Sequence, residues 1–208
     1  CFYRLKLVYW LKLGFTGVMG MTLIERVTDL DNFESEHFLY RHATEEDAAD
    51  MFEMFHNPEV LKWIHVPMPE SIEHTLEISI KKFHLADPLG KYVIVEKATN
   101  KMIGSIDIRP TEKNNSAEIG YALNHAYWGQ GVMTEALRTV ITVGFEQLEL
   151  HRIESFHAPE NIGSGRVMEK AGMQYEGTLR DYELLPNGRY VDSKVYSILA
   201  TDYFKSED

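Results

Sequence analysis

The chain has 208 residues, 44% of them hydrophobic and 25% charged, with a formal charge of −11 at neutral pH. That length and mixture suit one folded domain with a core of its own, and no charge-free apolar run reaches the roughly 18 residues that a membrane crossing needs. Cys1 is the single cysteine, which excludes an internal disulfide framework, fits a reducing, cytoplasmic setting and leaves no thiol nucleophile in the folded body.

Residues 1–20 differ in character from the rest of the chain. They carry Arg4, Lys6 and Lys12, no acids, and a run of apolar and aromatic residues from Phe2 to Leu11. Lys12 interrupts that run and no small-residue cleavage site comes after it, which argues against a secretory signal. An amphipathic surface helix is one alternative; the preferred expectation is a non-native or upstream-translated extension, with the natural start at Met19 or Met21. Without it, residues 21–208 hold 18 basic and 32 acidic residues, a formal −14. Such a surface repels nucleic acid and attracts cations such as polyamines, basic peptides and aminated small molecules.

In chain order, Phe38–Arg41 reads as a short strand. Thr44-Glu-Glu-Asp47 resembles a capping box, leading into a helix that buries Ala48, Met51, Phe52 and Phe55 and breaks at Asn57-Pro58. A second helical turn runs to Trp63. Ile72, Leu76, Ile80 and Phe83 mark a further helix, closed by Asp87-Pro88 and Gly90. Strands come next at Tyr92–Lys97 and Met102–Arg109, where Ile106 and Ile108 alternate with Asp107 and Arg109, and at Ala117–Asn124. Met133, Ala136, Leu137, Val140, Ile141, Gly144 and Leu148 form one helical stripe. His151–His157 is a fifth strand, and Asn161 and Ser164 lead a short helix that turns Val167, Met168 and Ala171 inward and stops at Gly172. Met173–Tyr182 and Tyr190–Leu199 pair as a hairpin around Pro186-Asn187-Gly188. The expected fold is α/β (α+β), one domain over residues 21–208, with a mixed, mostly antiparallel sheet of six to seven strands and about four flanking helices.

The most informative stretch is Tyr127-Trp-Gly-Gln-Gly-Val-Met-Thr-Glu135, a strand, a glycine loop and a helix start. Gly129 and Gly131 leave the backbone open to a ligand, and free N–H groups with the positive end of a helix dipole suit a pyrophosphate. A plain turn would present the same residues. The lysine of a nucleoside-triphosphate loop is missing, and Thr134 stands where a dinucleotide loop needs its third glycine.

In combination, the residues resemble the GNAT family of acetyl-coenzyme A-dependent N-acetyltransferases, and more narrowly its ribosomal-protein N-terminal (alanine/serine) acetyltransferase branch. The resemblance rests on Leu39-Tyr-Arg41 and Asp47-Ala48, on Glu118-Ile-Gly-Tyr121, Trp128-Gly-Gln-Gly131 and Thr134-Glu-Ala136, and on His151-Arg-Ile153, Asn161-x-x-Ser164, Arg166, Glu169-Lys170 and Gly172. Glu176-Gly177, Arg180-Asp181 and the hairpin to Asp192 complete it, so that it spans roughly residues 38–203. Trp128 and Met133 depart from the broad family, although Trp128 is usual for this branch. Met168 occupies the place of a tyrosine acid that many relatives carry.

The resemblance implies acetyl transfer from acetyl-CoA, as acetyl-donor cosubstrate, to a primary amine by direct attack in a ternary complex. It makes a protein N-terminal α-amine the leading acceptor and a small amine (polyamine or aminoglycoside) the second; a non-catalytic acyl-CoA-binding module is the reading of another class. It places the pyrophosphate on Gly129, Gln130, Gly131, Val132, Met133 and Thr134, counts Trp128 with the cofactor-binding residues, and sets the pantetheine against the strand edge at Leu123 and Asn124, which would also give the oxyanion a backbone N–H. Asn161 would position the pantetheine arm, or merely cap its helix. Arg166, with Arg152 and Lys170, could reach the 3′-phosphate. Ser164 is the expected general acid and Glu183 the expected base, with Glu118 as rival. No metal is expected, since His151 and His157 lack neighbouring ligands. A homodimer is compatible with this reading; a nucleic-acid or membrane partner is not expected.

Overall fold

The structure of the protein is a computed structural model that describes residues 20–64, 66–185 and 188–205. The expected extension therefore lies outside the described residues except for Gly20, as do Pro186 and Asn187 of the hairpin turn.

The chain opens with α1 (Leu23–Thr28), started by a reciprocal cap. Thr22 Oγ1 accepts from the Glu25 N–H at 3.2 Å, and the Glu25 carboxylate accepts from the Thr22 N–H at 2.7 Å. Then come β1 (Asn32–Glu34), β2 (Phe38–Arg41), α2 (Ala48–Phe55) and α3 (Pro58–Leu61). Asn57 ends α2 by capping α3, whose first residue is Pro58, where a missing N–H costs nothing. Next are α4 (Ile72–Thr75), continuing as a π-helix over Leu76–Leu85, and the strands β3 (Lys91–Glu96), β4 (Lys101–Thr111) and β5 (Ser116–Leu123). The remaining elements are α5 (Val132–Glu146), β6 (Arg152–His157), α6 (Ile162–Lys170), β7 (Gln174–Leu184), β8 (Tyr190–Leu199) and α7 (Ala200–Lys205).

The eight strands form one sheet in the order β1-β2-β3-β4-β5-β6-β8-β7, with every pair antiparallel except β5 and β6. The expected architecture holds with one strand more than six to seven, because β1 is only three residues long. The additional helices include α1 and α7, which flank the expected elements.

Both faces of the sheet are covered. On one, the α5 stripe of Met133, Ala136, Leu137, Val140 and Ile141 packs with α1 against Ile94, Ile106, Ile119 and Ile153. On the other, α2 and the π-helix set Met51, Met54 and Ile80 against Val93, Val95, Met102 and Ala122. Each such aliphatic side chain stabilises the fold by about 1.5–3 kcal/mol.

Two expected faces need correction. In α2 it is Met54 that joins Ala48 and Met51 in the core, while Phe52 is half-buried and stacks on His56. In the π-helix the widened turn, seen in the Ala86 N–H donating to the Lys81 carbonyl, puts His84 inward one turn after Ile80 and leaves Phe83 exposed.

β5 and β6 pair through only three residues each, Ser116–Glu118 with Arg152–Glu154. Beyond Glu118 the strands part, and that gap positions the site.

Candidate active site

Hydrogen bonding alternates along an antiparallel strand. Asn124 donates its N–H to the Ile103 carbonyl at 2.8 Å, toward β4. Tyr121 and Leu123 therefore face the other way, into the gap. Two carbonyls confirm the alternation: Ile119 accepts from Ser155 Oγ at 2.8 Å, and Leu123 accepts from Trp128 Nε1 at 2.9 Å. The edge N–H expected near Leu123 and Asn124 thus belongs to Leu123. The Asn124 side chain is buried and also occupied, accepting from the Ala126 N–H and donating to Glu53 Oε1.

The glycine loop has the backbone its sequence requires. Gly129 at φ +75° and Gly131 at φ +88° are left-handed, and a Cβ on either would meet open space. Gly131 caps α5 without any side-chain hydrogen bond, so the first turn of a fifteen-residue helix presents its N–H groups uncapped. Trp128, Gly129, Gly131, Val132, Met133 and Thr134 line the main cleft. Gln130 turns back to donate to the Ala126 carbonyl at 2.7 Å and lines a smaller hollow with Arg138 and Lys170.

The cleft has a volume of about 1510 Å³ and gathers Glu118, Ser164 and Glu183 with Asn161 and Arg166 from β5, β7 and the start of α6. Asn161 caps α6 through Oδ1, which accepts from the Ser164 N–H at 3.2 Å. The Ser164 carbonyl accepts from the Tyr121 hydroxyl at 3.2 Å, while the Ser164 hydroxyl makes no hydrogen bond among the described residues. Met168 is fully buried, where it offers no proton. Glu118 is bound by Arg109 Nη1 at 2.9 Å.

Arg152 is a correction. It forms a two-pronged pair with Glu176, both contacts 2.6 Å, and also binds Glu154, so it is committed to the sheet rather than to a phosphate. The pair, together with Ser197 Oγ, holds the Glu176 carboxyl down at about 2. Arg138 was missed; it donates to the Lys170 carbonyl and sets a cation beside the glycine loop. Its position seven residues beyond Gly131, on the same helical face, was the available signal.

Two further groups in the cleft were not singled out from the sequence. Asp107 shares a sheet face with Arg109, and burial pushes its carboxyl up despite the pull of Arg109 and Lys91. His84 is buried with Nδ1 unpartnered among the described residues, and burial, aided by Lys91, lowers its pKa to about 4, leaving the ring neutral near pH 7. The two histidines weighed for metal lie apart in kind. His151 is exposed before β6, whereas His157 is buried beneath Gly165 with Nδ1 against the Ala158 carbonyl.

With this geometry established, comparison with known proteins is specific. The acetyltransferase (GNAT) domain family matches residues 37–174. The chain is 30% identical to the uncharacterized N-acetyltransferase p20 of Bacillus licheniformis, over 84% of this chain and 99% of that one. It is also 30% identical to the [ribosomal protein uS5]-alanine N-acetyltransferase of Escherichia coli, over 58% of each chain. Among solved structures, a GNAT-family acetyltransferase from Bacillus anthracis superposes with a TM-score of 0.72 at 28% identity, covering 82% of this chain and 99% of that one.

Proposed function

The chain belongs to the GNAT acetyltransferase family, and from that premise we propose that it moves acetyl from acetyl-CoA to a primary amine in a ternary complex. A protein N-terminal α-amine is the leading acceptor, a choice supported by the similarity to the uS5-alanine acetyltransferase. One observation carries the reading: an uncapped helix N-terminus and an unpaired strand edge open onto the same cleft.

In this proposal the N–H groups of Val132, Met133 and Thr134 hold the pyrophosphate, with Arg166 and Lys170 as cations at the rim. The Leu123 edge pairs with the pantetheine amides as an added strand would, and its N–H stabilises the oxyanion. Glu183 takes the proton of the acceptor ammonium. The freed nitrogen attacks the thioester carbon, the C–S bond breaks, Ser164 supplies the proton to the departing thiolate, and the second proton that the nitrogen sheds as the amide forms restores the Ser164 hydroxyl. Glu118, whose carboxylate is engaged by Arg109, is the rival base. With no cysteine among the described residues, attack is direct, without an acetyl-enzyme. A cytoplasmic location belongs to the same proposal.

The deciding experiment measures thiol release from acetyl-CoA against a panel of N-terminal peptides and small amines. Release with α-amine peptides is expected. Cofactor binding without release for any acceptor would replace the enzyme with an acyl-CoA-binding module.

A further inference from the structure

Asp107 is a largely buried carboxylate, 22% exposed, whose ion pair with Arg109 is a long one at 3.8 Å. It makes no hydrogen bond among the described residues, and it lines the cleft. Two cations lie within electrostatic reach, and each is committed elsewhere. Arg109 binds Glu118 at 2.9 Å and brings only Nε to 3.8 Å of Asp107. Lys91 donates to the Phe83 carbonyl and to both the carbonyl and the carboxylate of Asp87. A second polar atom on the same cleft, Nδ1 of His84, a residue only 5% exposed, also has no hydrogen-bond partner among the described residues. A shielded anion held by one long ion pair and no hydrogen bond among the described residues calls for a cationic hydrogen-bond donor.

The register fixes how far that donor sits from the chemistry. Asp107 lies opposite Gly120, three residues along β5 from Leu123, which is about 10 Å at the rise of a strand. The reacting nitrogen has to approach within bonding distance of the thioester near Leu123, so it is not the group Asp107 holds. Resting on the acetyltransfer reading above, we infer that Asp107 binds a second ammonium of the acceptor about 10 Å from the nitrogen that is acetylated. The acceptor is therefore a dication. Its source is either a free polyamine or a polypeptide with a lysine close to its N-terminus, and the acidic body of the chain favours both.

The test compares kcat/KM for a series of α,ω-diaminoalkanes with that for n-alkylamines of equal length. A second arm compares N-terminal peptides differing only in lysine or methionine at the second residue. The wild-type protein should prefer the dication by about tenfold or more in at least one arm, the effect of one charged hydrogen bond. Asp107→Asn should collapse that ratio toward unity. Asp107→Glu, which keeps the charge and reaches one methylene further, should keep the ratio and move the best diamine to a shorter length, a shift that a purely structural role would not produce. A length-dependent diamine preference identifies a polyamine; a lysine preference identifies a protein. A flat ratio in both arms, or a ratio unchanged by Asp107→Asn, overturns the inference while leaving acetyl transfer intact. Absence of thiol release with every amine would instead overturn the underlying reading and this inference with it.

Discussion

The Tyr121 hydroxyl donates to the Ser164 carbonyl at 3.2 Å, tying β5 to the first turn of α6 across the gap. Burial raises the phenol's pKa, so it stays a donor well into the alkaline range. Tyr121→Phe removes this tie and nothing else of size. It should cost about 1 kcal/mol, a fall of roughly 2–4 °C in Tm, and should lower turnover by loosening the serine proposed as acid. Thermal melts and steady-state rates on the same preparation check both.

Gly131 adopts φ +88° and caps α5. An alanine there meets no steric neighbour but must hold a left-handed backbone, at about 1–2 kcal/mol. Gly131→Ala should therefore lose stability modestly and acetyl-CoA affinity more, by about tenfold, because relaxation of the strained turn re-aims the N–H groups. Calorimetric titration against acetyl-CoA reads the second effect apart from the first.

Ser164→Ala and Glu183→Gln should each lower kcat by about 10² while changing the KM for acetyl-CoA less than about twofold, the pattern of lost proton transfer rather than lost binding. Unchanged turnover in Glu183→Gln would transfer the base to Glu118 or to water.

His84 gives the fold an acid-sensitive element. Its folded pKa, about 4, lies below the ordinary histidine value of 6.5 because burial disfavours the cation. Above 6.5 the ring is neutral in both folded and unfolded chains and contributes no pH dependence. Between 6.5 and 4 the unfolded chain takes up a proton that the native ring refuses, so stability falls with pH and the loss levels off near 4. At pH 5 the loss should be roughly 1–2 kcal/mol. His84→Leu should flatten that part of the curve in urea denaturation at stepped pH; an unaltered slope would assign it to other groups.

The features legible in the sequence are those with a local cause. The apolar stripe from Met133 to Ile141 dictates a helix with one buried face, and Gly129 and Gly131 mark the two left-handed residues before it. Asn161 and Gly172 bracket α6 by their own capping chemistry. What stayed hidden depends on partners far along the chain. Arg152 looked like a free cation because Glu176, 24 residues away in sequence, reaches it only across paired strands. His84 looked like the polar side of a helix, since a period of 3.6 assigns the inward position to Phe83 and only the π winding reverses it. Asp107 stood in plain view between Ile106 and Ile108, yet the pattern alone does not say whether a strand's charged face meets solvent or a cleft.

The three-residue union of β5 and β6 divides the sheet into two blocks, five strands on one side and the β6-β8-β7 trio on the other, stitched by little main-chain bonding. Amide protons at this seam should exchange ahead of those in the strands on either side. Any molecule lodged lengthwise in the opening would act as mortar between the blocks, raising the melting temperature with its concentration. The fold leaves a short join where a guest can complete it.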